Sequence, residues 1–146
     1  PPRFHHRQIK QGHLLQMNKT DLVFQSYGRC CNRDAFFVDF YDFFMASSNI
    51  IRERFVKTDM AAQRHLLRNG IMQLILHARG MSDRKLKALG ESHSRSHYDI
   101  KPEWYSLWLD SLLKTVRLHD PEYSPELDAA WREVLTPGID LIRGAY

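Results

Sequence analysis

Cysteine is scarce in this chain: Cys30 and Cys31 are the only two, and they are adjacent. Neighbouring thiols can bridge only in strained geometry, so a disulfide framework is excluded. That usage fits a reducing, cytoplasmic setting, with one thiol packed and the other partly exposed. Long apolar runs are missing too, and without about 18 such residues in a row no segment reads as a membrane-spanning helix. Pro1 to Lys10 is basic and polar with no apolar stretch behind it, which does not read as a secretory signal. Nor is charge of one sign gathered anywhere. The net charge is +4, but basic residues alternate with acidic ones, as in Arg52-Glu53-Arg54. Such interleaving marks solvated helix surface rather than a nucleic-acid footprint. Strand-type alternation is absent as well, so no sheet is expected.

What the chain does have is helical periodicity. Its 146 residues, 43% of them hydrophobic, suffice for one core without disulfides or structural metals. Residues 1–17 lack periodicity and carry His5, His6 and His13; they read as a flexible extension ahead of a single domain over residues 18–146. Asp21 is placed to cap a first helix, Leu22 to Cys31, with Val23 and Tyr27 at helical spacing. Asp34 opens a second, aromatic helix through Phe36, Phe37, Phe40, Tyr41, Phe43 and Phe44. Ser47-Ser48-Asn49 ends it, and a short turn through Ile50, Ile51 and Phe55 follows. Thr58 and Asp59 offer caps for a long helix to Ala78, closed by Gly80. Asp83 begins a helix with Leu86, Leu89, His93 and His97 on one face. Pro102 opens the next, to His119. Ser124-Pro125-Glu126 opens the last, which Pro137-Gly138 interrupts and is expected to kink. The class is all-α.

Polar residues on the apolar stripes carry the chemistry. Gln63 falls between Met60 and Leu67, His93 lies one turn beyond Leu89, and Tyr41 sits inside the aromatic helix. One inward histidine is ordinary; three such groups on different helices suggest a pocket. His65 is about 200° around the helix from Gln63 and belongs to the outer face.

From Asp21 to Tyr146 the sequence resembles the globin family, particularly bacterial single-domain globins and the haem domain of flavohaemoglobins. Phe40-Tyr41 is followed by Phe55, fourteen residues after the tyrosine, as in their distal tyrosine and haem-stacking phenylalanine. Thr58 to Leu67 is similar to their distal helix and Leu89-Gly90-Glu91-Ser92-His93 to their proximal helix. Ile100-Lys101-Pro102-Glu103-Trp104-Tyr105 matches the opening of the next, and Ala130-Trp131 the start of the last.

The resemblance implies a globin-like fold of about six to eight helices around a haem pocket, with haem b (iron protoporphyrin IX) as cofactor. It implies His93 as the iron ligand, Tyr41 and Gln63 as donors to a bound gas, and Phe55 and Leu67 as apolar cover. Ile100 and Tyr105 come from the motif that follows, with Tyr105 near the proximal histidine. Two features depart from the family. His93 precedes Pro102 by nine residues where seven is usual, and the seventh is Arg95, which cannot ligate iron. His97 shares the expected helical face and is the weaker candidate ligand; beside a haem propionate, or exposed at the helix end, are its other places. The proximal carboxylate of flavohaemoglobins has no obvious counterpart in the last helix.

Two functions from different classes suit these residues. One is reversible binding of dioxygen, carbon monoxide or nitric oxide for storage, delivery or sensing. The other is nitric oxide dioxygenation, which would need a separate reductase because this sequence has no Gly-rich phosphate motif for flavin or nicotinamide. Gas binding ranks first. A haem-free interaction module is the third reading, disfavoured by the polar set. No nucleic-acid or membrane partner is expected, and the oligomeric state stays open, a homodimer included.

Overall fold

The computed structural model describes residues 19–146, which form seven helices and no strand; the extension over residues 1–17 lies outside the described residues. Helix α1 occupies residues 19–30 and buries Val23, Ser26, Tyr27 and Cys30, a spacing of three to four that turns one side inward. It has already begun before Asp21, which pairs instead with Arg79. The expected cap at Asp21 is therefore not formed, because Asp21 stands inside the helix and not at the position before its first turn.

Helix α2, Asp34–Ala46, buries Phe36, Phe37, Phe40, Tyr41 and Phe44, and that aromatic side packs on α6, Trp104–His119. The turn expected at Ile50 is a short helix, α3, Asn49–Arg54, capped by the Ser48 hydroxyl accepting from the Ile51 amide. Asp59 caps α4, Met60–Ala78, by accepting from the Ala61 and Ala62 amides at 3.1 and 3.2 Å. Helix α5, Arg84–His93, is followed by a turn over residues 95–98. Ser124 caps α7, Pro125–Gly144, by accepting from the Leu127 amide, with Pro125 in the first turn.

Pro137-Gly138 does not interrupt α7, which runs on as one helix. Pro137 faces solvent, while Gly138 is buried where α4 and α5 cross it; a Cβ there would lie 2.6 Å from Leu74 Cδ2 and 3.1 Å from Leu86 Cδ1. The dipeptide serves that close crossing. The principal helix contacts are α2 on α6, and α4 and α5 on α7.

At the centre Trp131 is fully buried, its ring edge-on to Tyr27 at 6.2 Å. Its indole N–H donates to Ser26 Oγ at 3.0 Å, and Ser26 donates to Asp120 at 2.6 Å. Arg29 donates twice to the same carboxylate, at 2.8 and 2.9 Å, and the Glu122 amide once, at 2.9 Å. Burial opposes ionisation of Asp120, but these hydrogen bonds outweigh it and hold the carboxyl below its ordinary pKa. Among the described residues no helix is long and apolar enough to cross a membrane.

Candidate functional site

Tyr41 projects from the buried side of α2, and Gln63 lies one turn into α4. The Gln63 amide donates to the Tyr41 hydroxyl at 3.1 Å, and that hydroxyl donates to the Gln63 main-chain oxygen at 3.4 Å. Phe55, just past α3, sets its ring edge-on to Tyr41 with centroids 5.4 Å apart. Leu67, a further turn along α4, is buried. Burial pushes the Tyr41 phenol up to about 12, with the Gln63 hydrogen bond opposing. Tyr41 is thus a neutral hydrogen-bond donor at any physiological pH. His65 is exposed, as its position around the helix requires.

His93 is the last residue of α5. Its Nδ1 lies 2.8 Å from the Leu89 carbonyl and 3.2 Å from Ser92 Oγ, and the Ser92 hydroxyl itself donates to Leu89 at 2.8 Å. A carbonyl can only accept, so Nδ1 carries the proton and Nε2 keeps its lone pair. Burial lowers the His93 pKa against the favourable Leu89 bond, which keeps the ring neutral. A neutral imidazole whose second nitrogen is tied to a carbonyl is the form in which histidine ligates metal.

The glycine in the Leu89-Gly90 pair has a packing cause. A Cβ on residue 90 would lie 2.9 Å from Ala145 Cβ and 3.3 Å from the Ile142 Cα and carbonyl oxygen. Only a residue without a side chain lets α5 approach α7 so closely one turn before His93.

His97 does not continue the α5 face. The chain leaves the helix at Ser94, whose ψ is 165°, and His97 is exposed in the following turn. Together with Ala88, Glu91, Ser92 and Tyr98 it lines an open depression of about 430 Å³. The long spacing to Pro102 is absorbed here: the amides of Tyr98, Asp99 and Ile100 donate back to Ser92, Ser94 and His93 at 3.1, 2.9 and 3.0 Å. Ile100 is half-buried and so meets the His93 main chain directly.

Tyr105, in the first turn of α6, is half-buried, and burial pushes its phenol to about 12 with Arg143 opposing. Among the described residues its hydroxyl meets no carboxylate, and both partners of His93 Nδ1 are uncharged. The structure thus brings Tyr41, Phe55 and Gln63 together on one side. His93, Ser92, Leu89 and Ile100 form a second group that shares no hydrogen bond with the first. Sequence reasoning passed over Ser92; a hydroxyl one residue before a helix-end histidine was the available signal for it.

An all-helical domain with these two groups on separate helices has the architecture of a globin. The protein PA3967 of Pseudomonas aeruginosa PAO1, whose crystal structure is described as structurally highly homologous to a human hemoglobin, is 56% identical. The match has a TM-score of 0.85 and covers 88% of this chain and 98% of the other. No family model and no curated protein matches the chain. Identity and shared fold at that level settle the matter: the chain belongs to the globin family.

Proposed function

We propose that this globin holds haem b through His93 and binds dioxygen or another diatomic gas. The observation that carries the reading is the committed tautomer of His93, with Nδ1 given to Leu89 and Nε2 left free for iron. A donor set of one imidazole suits a metal that brings its remaining ligands with it. Among the described residues no cluster of three His, Cys, Asp or Glu side chains offers a bare ion a site. A haem held by His93 would supply an iron able to bind a diatomic gas.

The chain's own residues do the rest. Tyr41 is a neutral donor for a ligand that acquires partial negative charge, and the Gln63 amide orients its hydroxyl. Phe55 and Leu67 would offer apolar cover that keeps water from the iron. Ile100, whose amide donates to the His93 carbonyl, and Tyr105 would line the histidine side of a bound haem, and the exposed His97 is a candidate partner for a propionate.

Uncharged partners on Nδ1 leave the imidazole without the push of a carboxylate relay, which favours reversible binding over redox chemistry. Nitric oxide dioxygenation with a separate reductase is the second reading, supported by the Tyr41–Gln63 pair. The two unbridged cysteines suit the cytoplasm.

The test is spectroscopic. The wild-type protein should show a Soret band and a carbon monoxide complex after reduction, and His93→Ala should lose both until imidazole is added. An unchanged His93→Ala spectrum would remove His93 from the iron, and a wild-type protein that takes up no haem would end the proposal.

A further inference from the structure

Helix α3 has six residues and buries only Ile51, so its own packing holds it weakly. Its last residue, Arg54, is fastened elsewhere. The guanidinium donates through Nη1 to the Tyr98 carbonyl at 3.0 Å and through Nη2 to the Asp99 carbonyl at 3.3 Å. It also lies over the buried ring of Trp104, the first residue of α6, 5.1 Å from the centroid. Among the described residues, Arg54 is the one side chain of α3 that hydrogen-bonds to a distant part of the chain.

The choice of carbonyls matters. The Tyr98 carbonyl shares its peptide group with the Asp99 amide, which donates to the Ser94 carbonyl at 2.9 Å. The Asp99 carbonyl shares its peptide group with the Ile100 amide, which donates to the His93 carbonyl at 3.0 Å. A cation on the oxygen of a peptide group strengthens the hydrogen bond that its N–H makes. Arg54 therefore bears directly on two bonds that close the end of α5. In the other direction its chain neighbour is Phe55, whose ring centroid lies 5.4 Å from Tyr41 and 6.2 Å from Phe44. The Tyr41 and His93 groups share no hydrogen bond of their own. Arg54 joins them, beside Phe55 in the chain and one peptide group away from the His93 carbonyl.

We propose that Arg54 couples the two sides of the site, so that a change at Tyr41 and Phe55 is felt at the end of α5. It is a positioning residue, and the role rests on the reading of Tyr41 and His93 as the two sides of a haem pocket. An arginine that only decorated the surface would add a little stability and nothing more. A coupling residue instead makes perturbations on the two sides non-additive.

Hydrogen exchange at the Ile100 amide, in the protein as purified, reads the histidine side. Phe55→Leu loosens the gas side and should raise that exchange about fivefold in the wild-type background. Arg54→Met keeps an apolar stem on Trp104 but donates nothing, so exchange should start higher. In that background Phe55→Leu should change it by less than about twofold. Arg54→Lys keeps the charge but lacks the fork that reaches two carbonyls, and should recover only part of the coupling. Carbon monoxide added to the reduced protein is a second gas-side perturbation, which serves if Phe55→Leu folds poorly. Exchange at Ile100 should respond to it in wild type and not in Arg54→Met.

Equal effects of Phe55→Leu in the two backgrounds would overturn the coupling, as would equal responses of wild type and Arg54→Met to carbon monoxide. A wild-type protein that takes up no haem would instead overturn the proposed function, and the Phe55→Leu comparison would still decide the coupling.

Discussion

Replacing a helical glycine by alanine has opposite consequences at two places in this protein, and the difference measures how tightly α5 sits on α7. Alanine is favoured over glycine in a helix interior by about 1 kcal/mol. At Gly70, within α4, a new Cβ meets nothing within 4 Å, so Gly70→Ala should stabilise by roughly 0.5–1 kcal/mol. At Gly90 the same propensity gain is offset by contact. The Cβ would sit 2.9 Å from Ala145 Cβ and 3.3 Å from two Ile142 backbone atoms. None of these is the far end of a flexible side chain, so a helix must shift, at a cost of about 1–3 kcal/mol for overpacking. The net for Gly90→Ala is destabilisation by about 1 kcal/mol, and the two variants should differ by roughly 2 kcal/mol. For a chain of this size each kcal/mol moves Tm by roughly 3–4 °C. Thermal and urea unfolding followed by circular dichroism would place Gly70→Ala above wild type and Gly90→Ala below it. If both variants rise together, the close approach of α5 to α7 is not as described, and the packing account of the Leu89-Gly90 pair fails with it.

Asp120→Ala strips the partner from Arg29 and Ser26; with Arg29 part-exposed the loss should be about 2–3 kcal/mol, read from urea midpoints. A loss below 0.5 kcal/mol, the usual range for a surface substitution, would show the network to be incidental. Alkaline stability follows from Tyr27 and Tyr41, both raised chiefly by burial, Tyr41 to about 12. The unfolded chain releases these protons from about pH 10 while the folded one retains them, so stability should hold to pH 9 and fall steadily between 10 and 12. Flat stability across that window would mean the phenols are solvated. If the proposed gas site is correct, Tyr41→Phe should speed dioxygen dissociation about tenfold, with a smaller effect from Gln63→Leu. Wild-type dissociation from Tyr41→Phe in stopped-flow displacement would transfer the donor role elsewhere.

The sequence made legible what short-range periodicity and caps determine, and little that depends on distant partners. The aromatic side of α2 and the start of α7 at Ser124-Pro125 were readable because spacing and capping residues act within a turn or two. Helix α3 escaped because six residues burying only Ile51 leave no period to detect. His97 was misplaced for a subtler reason. It stands four residues from His93, the interval that puts two side chains on one helix face, yet the helix stops between them. Ser94 donates its hydroxyl to the Glu91 carbonyl at 2.7 Å, and that local bond competes with helix continuation. The Ser92-His93-Ser94 run contained that signal, but spacing alone outvoted it.

Non-local features were beyond reach altogether. Asp120 gathers partners from α1, and Tyr146 finds Asp99 forty-seven residues away; no window along the chain contains either pair. The proximal chemistry divides in the same way. The identity of the candidate ligand came from its Leu-Gly-x-x-His setting. Its tautomer is set by the Leu89 carbonyl four residues back, a contact that any helix-end histidine could make and few must. Burial of the ring does the rest by holding it neutral. Residue types therefore named the candidate chemistry, while the Leu89 contact decides which nitrogen of His93 is left free.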